Sequence, residues 1–237
     1  GLSATTLRCQ TAGTSVITIG GDGAGLQDLV LDGVTIPENS YGVDGINRNS
    51  VIFDRVQVRR FETGVRLRGG NGHRWTDFSL ASCATGGLFA GDLDTADTGL
   101  GSLFGHLVWV GGGVAFNTVA GAEFRAVDAL CTNIKLTGIQ FEANLAGSLI
   151  ATGARDVRTE GCWFHANLQS LEVQDNTDTP LPLINTASRI SVTGGFFDGA
   201  DTGTEIALDG DCDLVTFRGV DFINCDFNLT TPGHSVH

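Results

Sequence analysis

Carboxylates and aromatic rings are the residues of this sequence with the plainest chemical potential. Glu160 and Asp178 are the candidate catalytic acids. Two carboxyl groups roughly 6.5–9.5 Å apart suit an inverting glycosidase, one protonating the leaving oxygen and the other activating water. Glu160, however, aligns with His106 rather than with a second acid. The two lie two repeat units apart, about 9.6 Å along a stack of strands. Glu160 also neighbours Lys135 and Arg158 on adjoining columns, and a solvated ion pair is the simpler role for it. Asp178 and Asp175 sit in an acid- and hydroxyl-rich run, QDNTDTPLP. A second run, GDLDTADTG, holds Asp92, Asp94 and Asp97, and FFDGADTG adds Asp198 and Asp201. Such groups accept hydrogen bonds from sugar hydroxyls, and ordinary polar surface loops have the same composition. None has the full spacing of a calcium loop, so no metal and no cofactor is expected.

The elements that must position these residues are short strands in a repeat. One pattern recurs: apolar, any, apolar, any, turn residue, apolar, any, apolar. It reads LVLDGVTI (29–36), VIFDRVQV (51–58), HRWTDFSL (73–80), LFGHLVWV (103–110), IKLTGIQF (134–141), VRTEGCWF (157–164), ISVTGGFF (190–197) and VTFRGVDF (215–222). Period-2 alternation marks strands with one buried face. The last position gives an inward column of Ile36, Val58, Leu80, Val110, Phe141, Phe164, Phe197 and Phe222. The turn position is glycine in five units, Gly33, Gly138, Gly161, Gly194 and Gly219, where a corner would need positive φ. Further strand-like patches follow the motif at 64–67, 148–150, 170–173 and 205–208. A repeat of 22 to 33 residues with no helical period describes a coil of parallel sheets. The leucine-rich-repeat pattern is missing. The expectation is an all-β, right-handed single-stranded parallel β-helix of about eight rungs. Residues 1–25 form an N-terminal cap with a first partial rung, 26–229 the β-helix and 230–237 a tail.

On this alignment one outward column reads Thr35, Gln57, Ser79, Trp109, Gln140, Trp163, Phe196, Asp221. Trp109, Trp163 and Phe196 would then be an exposed aromatic cluster, which calls for a partner. It could stack on sugar rings or be covered by another chain or a loop. The next column reads Asp32, Asp54, Thr76, His106, Thr137, Glu160, Thr193, Arg218, and Arg74, Lys135 and Arg158 share a third. The longer intervals place insertions in the middle and later rungs, one of them around Gly111-Gly112-Gly113, Phe116 and Asn117. The contact set is thus Trp109, Trp163, Phe196, Asp175, Asp178, Arg158 and Lys135.

Composition sets limits. The 237 residues are 41% hydrophobic, with 34 glycines and 4 prolines, as many tight turns and a real core require. A net charge of −13, with Lys135 the single lysine, repels phosphate backbones and anionic membranes. No stretch reaches the roughly 20 apolar residues needed to cross a bilayer, so neither nucleic acid nor membrane insertion is expected. The absence of methionine and a start at Gly1 suggest a piece of something longer, with further domains before or after it. The six cysteines form no CxxC pair and read as buried free thiols rather than a zinc site.

The stretches NSVIFDRVQV, NIKLTGIQF, GCWFHAN and GGDGAGLQDLVLDGV resemble the pectin-lyase-like β-helix superfamily, most closely its phage tailspike and pectate-lyase-3-like branch. The resemblance runs from about Leu7 to Leu229. It implies the fold, association with carbohydrate and, from tailspikes, a homotrimer on a virion surface or outside the cell. It carries over no catalytic residue. Asn176-Thr177-Asp178 matches the first polygalacturonase motif, but no DD, GHG or RIK follows. Neither the RxPxxR segment of pectate lyases nor the DPHD of alginate epimerases is present. The expected function is binding of a surface polysaccharide, with glycan depolymerisation or a structural spacer as alternatives. From its charge, the ligand is a neutral or cationic glycan, or an acidic one bridged by calcium or met by a patch at Arg74, Lys135, Arg155 and Arg158.

Overall fold

The computed structural model describes residues 5–9, 13–34, 38–91, 103–127, 129–145, 147–174, 187–199, 204–208 and 213–229. Every regular element among them is a β-strand, and every strand pair is parallel. One sheet takes nine strands in chain order, from Ser15–Ile19 through Thr63–Arg68, Gly147–Thr152 and Gln169–Gln174 to Cys225–Leu229. It contains the second strand-like patches of the sequence. The other sheet is 14-stranded, running from Thr5–Arg8 to Asp213–Arg218 with a flank of short strands beside it. Each turn of the coil visits both sheets, so successive turns stack as rungs, the architecture expected of a parallel β-helix.

The flank arises at a corner. Gly138, Gly161, Gly194 and Gly219 have φ near +60° and break the later rungs into two strands, as in Cys131–Thr137 and Gln140–Glu142. The N–H groups of Gly138, Gly161 and Gly194 still join the ladder, Gly161 N donating to Thr193 O at 2.9 Å. In earlier rungs the same column holds Asp28, Arg55, Asp77 and Gly111, also with positive φ. Gly33 is therefore not a corner residue. It is needed for close approach, because a Cβ there would lie 1.8 Å from Arg60 O.

The register of the first and fourth rungs differs from that expected from the motif. Leu31, not Ile36, pairs with Val58 and begins the inward column; Ile36 lies outside the described residues. In the fourth rung Val114, not Val110, pairs with Leu80 and with Phe141. Val110 faces outward and is 43% exposed. The motif there is 107–114, displaced by the three glycines. Gly111-Gly112-Gly113 belong to the strand Phe104–Ala115 instead of a loop. A side chain at Gly112 would meet Phe78 O at 2.0 Å, so only glycine lets this strand follow its neighbour.

Two interior stacks fill the coil. Phe141, Phe164 and Phe197 are fully buried and lie ring on ring, 4.6 Å and then 4.3 Å between centroids, within 3° of parallel. Phe222 continues the ladder at 5.4 Å but is 38% exposed, because it belongs to the last described rung. Lower in the coil Phe53, Trp75, Phe78, Phe89, Trp109 and Phe124 interlock. His73 is buried with them, stacked on Phe104 at 4.9 Å, and burial lowers its pKa to about 4.

At the next corner stands a polar ladder. Asn117, Asn144 and Asn167 are fully buried. Asn117 Nδ2 donates to Asn144 Oδ1 (2.9 Å) and Asn144 Nδ2 to Asn167 Oδ1 (3.0 Å). The same amides donate inward to Val114 O and Phe141 O, and their Oδ1 atoms accept the backbone N–H of Cys83, Asn117 and Asn144. Cys83, Cys131 and Cys162 are buried free thiols whose ionisation burial suppresses. Cys212 lies outside the described residues.

Candidate flank site

Residues on either side of each ladder phenylalanine point outward, so the short flank strands present two parallel columns about 6.6 Å apart. One is Gln140, Trp163, Phe196 and Asp221; the other is Glu142, His165, Asp198 and Ile223. Trp163 is 48% exposed and its ring rests against Phe196 at 5.3 Å and 34°. His165 Nδ1 is 3.2 Å from Asp198 Oδ2. Gln140, Glu142, Trp163, His165, Phe196 and Asp198 line a groove of about 340 Å³ over the buried ladder. An apolar floor with acceptors along one wall can hold a sugar ring by its face and its hydroxyls.

Of the expected contact residues, the structure brings Trp163 and Phe196 together. It removes Trp109. In the corrected register Trp109 pairs with Trp75 and Leu136, is fully buried, and donates its Nε1–H to Gly111 O at 3.0 Å. Gly113 takes its place in the outward column. Asp175 and Asp178 lie outside the described residues, as do Asp92, Asp94, Asp97 and Asp201. Glu160 does form an ion pair with Lys135, 2.9 Å, both ends about half exposed. His106 is not in its column; Val110 and Thr137 are. Asp32 also leaves that column. It is a buried carboxylate held by Arg59 and Arg60, whose guanidinium bonds keep its pKa down at about 2. Arg74, Val108, Lys135 and Arg158 do share a column.

Around the glycine corner, on the outer face of the main sheet, lies a second groove of about 320 Å³. Its lining includes Arg158, Arg189, Arg218, Ser191 and Thr193. Arg189 is bound to Asp156 at 2.6 Å, whereas Arg158 and Arg218 have no ion-pair partner among the described residues. The two faces thus differ in charge: guanidinium on the sheet, carboxylate on the flank.

Glu142 and His165 were not singled out by sequence. Their signal is the triplets Gln-Phe-Glu, Trp-Phe-His and Phe-Phe-Asp around the ladder. It becomes meaningful only once the three triplets are stacked.

No family model matches the chain, and no curated protein matches its sequence. Among solved structures it is similar to the A-module of the mannuronan C-5 epimerase AlgE4 of Azotobacter vinelandii. The TM-score is 0.67 at 14% identity, over 100% of this chain and 79% of that one. ORF18 of Geobacillus virus E2 gives 0.63 at 14% identity, over 97% of this chain and 47% of that one. The AlgE6 A-module of A. vinelandii gives 0.59 at 16%, over 99% and 57%. The chain therefore spans about half the length of the viral protein. These likenesses establish the fold, a right-handed parallel β-helix of the pectate-lyase-like kind.

Proposed function

We propose that this chain is a glycan-binding β-helix of a receptor-binding spike or adhesin, and that the Trp163–Phe196 flank contacts a surface polysaccharide. The observation that carries this reading is the partly exposed, tilted aromatic pair on the floor of a groove walled by Gln140, Glu142, His165 and Asp198. Rigid in-register rungs suit a chain-like ligand lying along the axis. The viral and polysaccharide-modifying proteins that share the fold support the class, and place outside the cell or on a virion is part of the proposal. A spacer would have little use for an exposed tryptophan in a groove.

Titration with capsule or lipopolysaccharide fragments tests it. Trp163→Ala should weaken binding by more than 1 kcal/mol, as expected of a central aromatic contact. Thr76→Ala, on an exposed early position of the main sheet, should leave it unchanged. Asp32→Ala is unsuitable as a control because it would break a buried ion pair. Equal losses, or none at Trp163, would remove the site from this flank.

Glycan cleavage is a second reading, favoured by one observation. Glu142 and Asp198 face one groove two rungs apart, about 9.6 Å, near the spacing of an inverting pair. A fall in glycan size on incubation, abolished by Glu142→Gln, would establish it.

A homotrimer with flanking domains belongs to the same proposal. Phe116, Val119, Leu145 and Leu168 are 55–62% exposed, on the corners beside the asparagine ladder, and offer an apolar stripe along the axis. Sedimentation at micromolar concentration should give three times the monomer mass; a monomer counts against it.

A further inference from the structure

We infer that the flank groove is built for a glycan bearing free amino groups, a cationic amino sugar, rather than for a polyuronate. This rests on the glycan-binding reading and adds the substrate class. Among the groove's lining residues there are two carboxylates, Glu142 and Asp198, and neither lysine nor arginine. Asp198 has a partner in His165. The Glu142 carboxylate is exposed to the groove and has no hydrogen-bond or ion-pair partner among the described residues.

A neutral sugar would gain stacking and hydroxyl contacts and leave the Glu142 charge unmatched. A uronate would set a third negative charge beside two, inside the field of a chain of net charge −13. An ammonium group gains from each feature at once. It can donate to Glu142, sit over the electron-rich face of Trp163, the ring best suited to cations, and follow the field inward. The guanidinium groove around the corner, where Arg158 and Arg218 are without ion-pair partners, has the opposite preference and is a separate surface. The charge of the flank is thus local to it rather than a uniform property of the molecule.

Chitosan oligosaccharides and their fully N-acetylated counterparts of equal length share a backbone and differ in charge, which makes them the probes. With the full chain, the deacetylated oligomer should bind at least tenfold more tightly at low salt, and the advantage should shrink as salt rises. Glu142→Gln should bring the two affinities together, chiefly by weakening the deacetylated oligomer. Trp163→Ala should weaken both. Equal affinity for the two oligomers, or tighter binding of an oligouronate, overturns the amino-sugar class; if Trp163→Ala still weakens binding, the glycan-binding reading survives. Binding of none of the probes, or binding indifferent to Trp163, overturns both.

Discussion

An adjacent tryptophan and phenylalanine can mean opposite things here, and the difference is a matter of which neighbours the rung supplies. Phe164 has a ring above it at 4.3 Å and one below at 4.6 Å, and no exposure. Trp163, its neighbour, has one ring partner and half its surface in water. Removing Phe164 would open a void that rungs fixed on both sides by backbone hydrogen bonds cannot close. Phe164→Ala should therefore cost about 3–5 kcal/mol, measured as the fall in unfolding free energy by denaturant titration. A loss below about 1.5 kcal/mol would mean that the neighbouring rings collapse into the gap. Trp163→Ala removes less buried area and leaves no sealed void, so it should cost clearly less than Phe164→Ala in the same transition.

At the scale of the rung, polar order matters as much as apolar fill. Asn144 Oδ1 accepts both the backbone N–H and the side-chain amide of Asn117, and its Nδ2 donates to Val114 O and Asn167 Oδ1. Asn144→Leu would keep the branched shape and orphan several of these buried groups at about 1–3 kcal/mol each. A total loss of at least about 3 kcal/mol in the same titration is expected, and a neutral substitution would show that water replaces the amide. The ladder is faintly legible in the sequence, since asparagine falls three residues after the inward column in three successive rungs, ending FEAN and FHAN in two of them. Rungs from Ile134 onward were readable because glycine marks their corner and phenylalanine their inward end. The rungs at 51–58 and 73–80 were also read in register, with Arg55 and Asp77 at the corner; the first was not, because Asp28 adopts the corner conformation without being glycine and Gly33 imitates a corner further on. The fourth failed where three glycines in a strand look like a loop. That one misplacement turned Trp109 from a core residue into a surface one. The groove was less legible than the fold: its walls come from triplets that only stacking brings together.

For the whole molecule, acid should act in two separate steps. His73 is sealed inside the coil against Phe104, and burial lowers its pKa from 6.5 to about 4. The unfolded chain takes up a proton below 6.5 that the folded chain refuses until about 4. Protonation therefore favours unfolding across this interval. The stability is present in full above 6.5 and lost as pH falls towards 4, by roughly 3 kcal/mol at 1.36 kcal/mol per unit. Asp32 acts lower. Held chiefly by Arg60, its carboxyl titrates at about 2 rather than 3.8, so its contribution is intact above 3.8 and disappears as pH falls towards 2. The two windows scarcely overlap. Denaturant midpoints taken at closely spaced pH values should fall between 6.5 and 4, then again below 3.8. His73→Leu keeps an apolar filler and removes the titrating ring, so it should flatten the first fall and leave the second. If the first fall persists in that variant, other groups carry it and His73 is not the coil's acid-sensitive point.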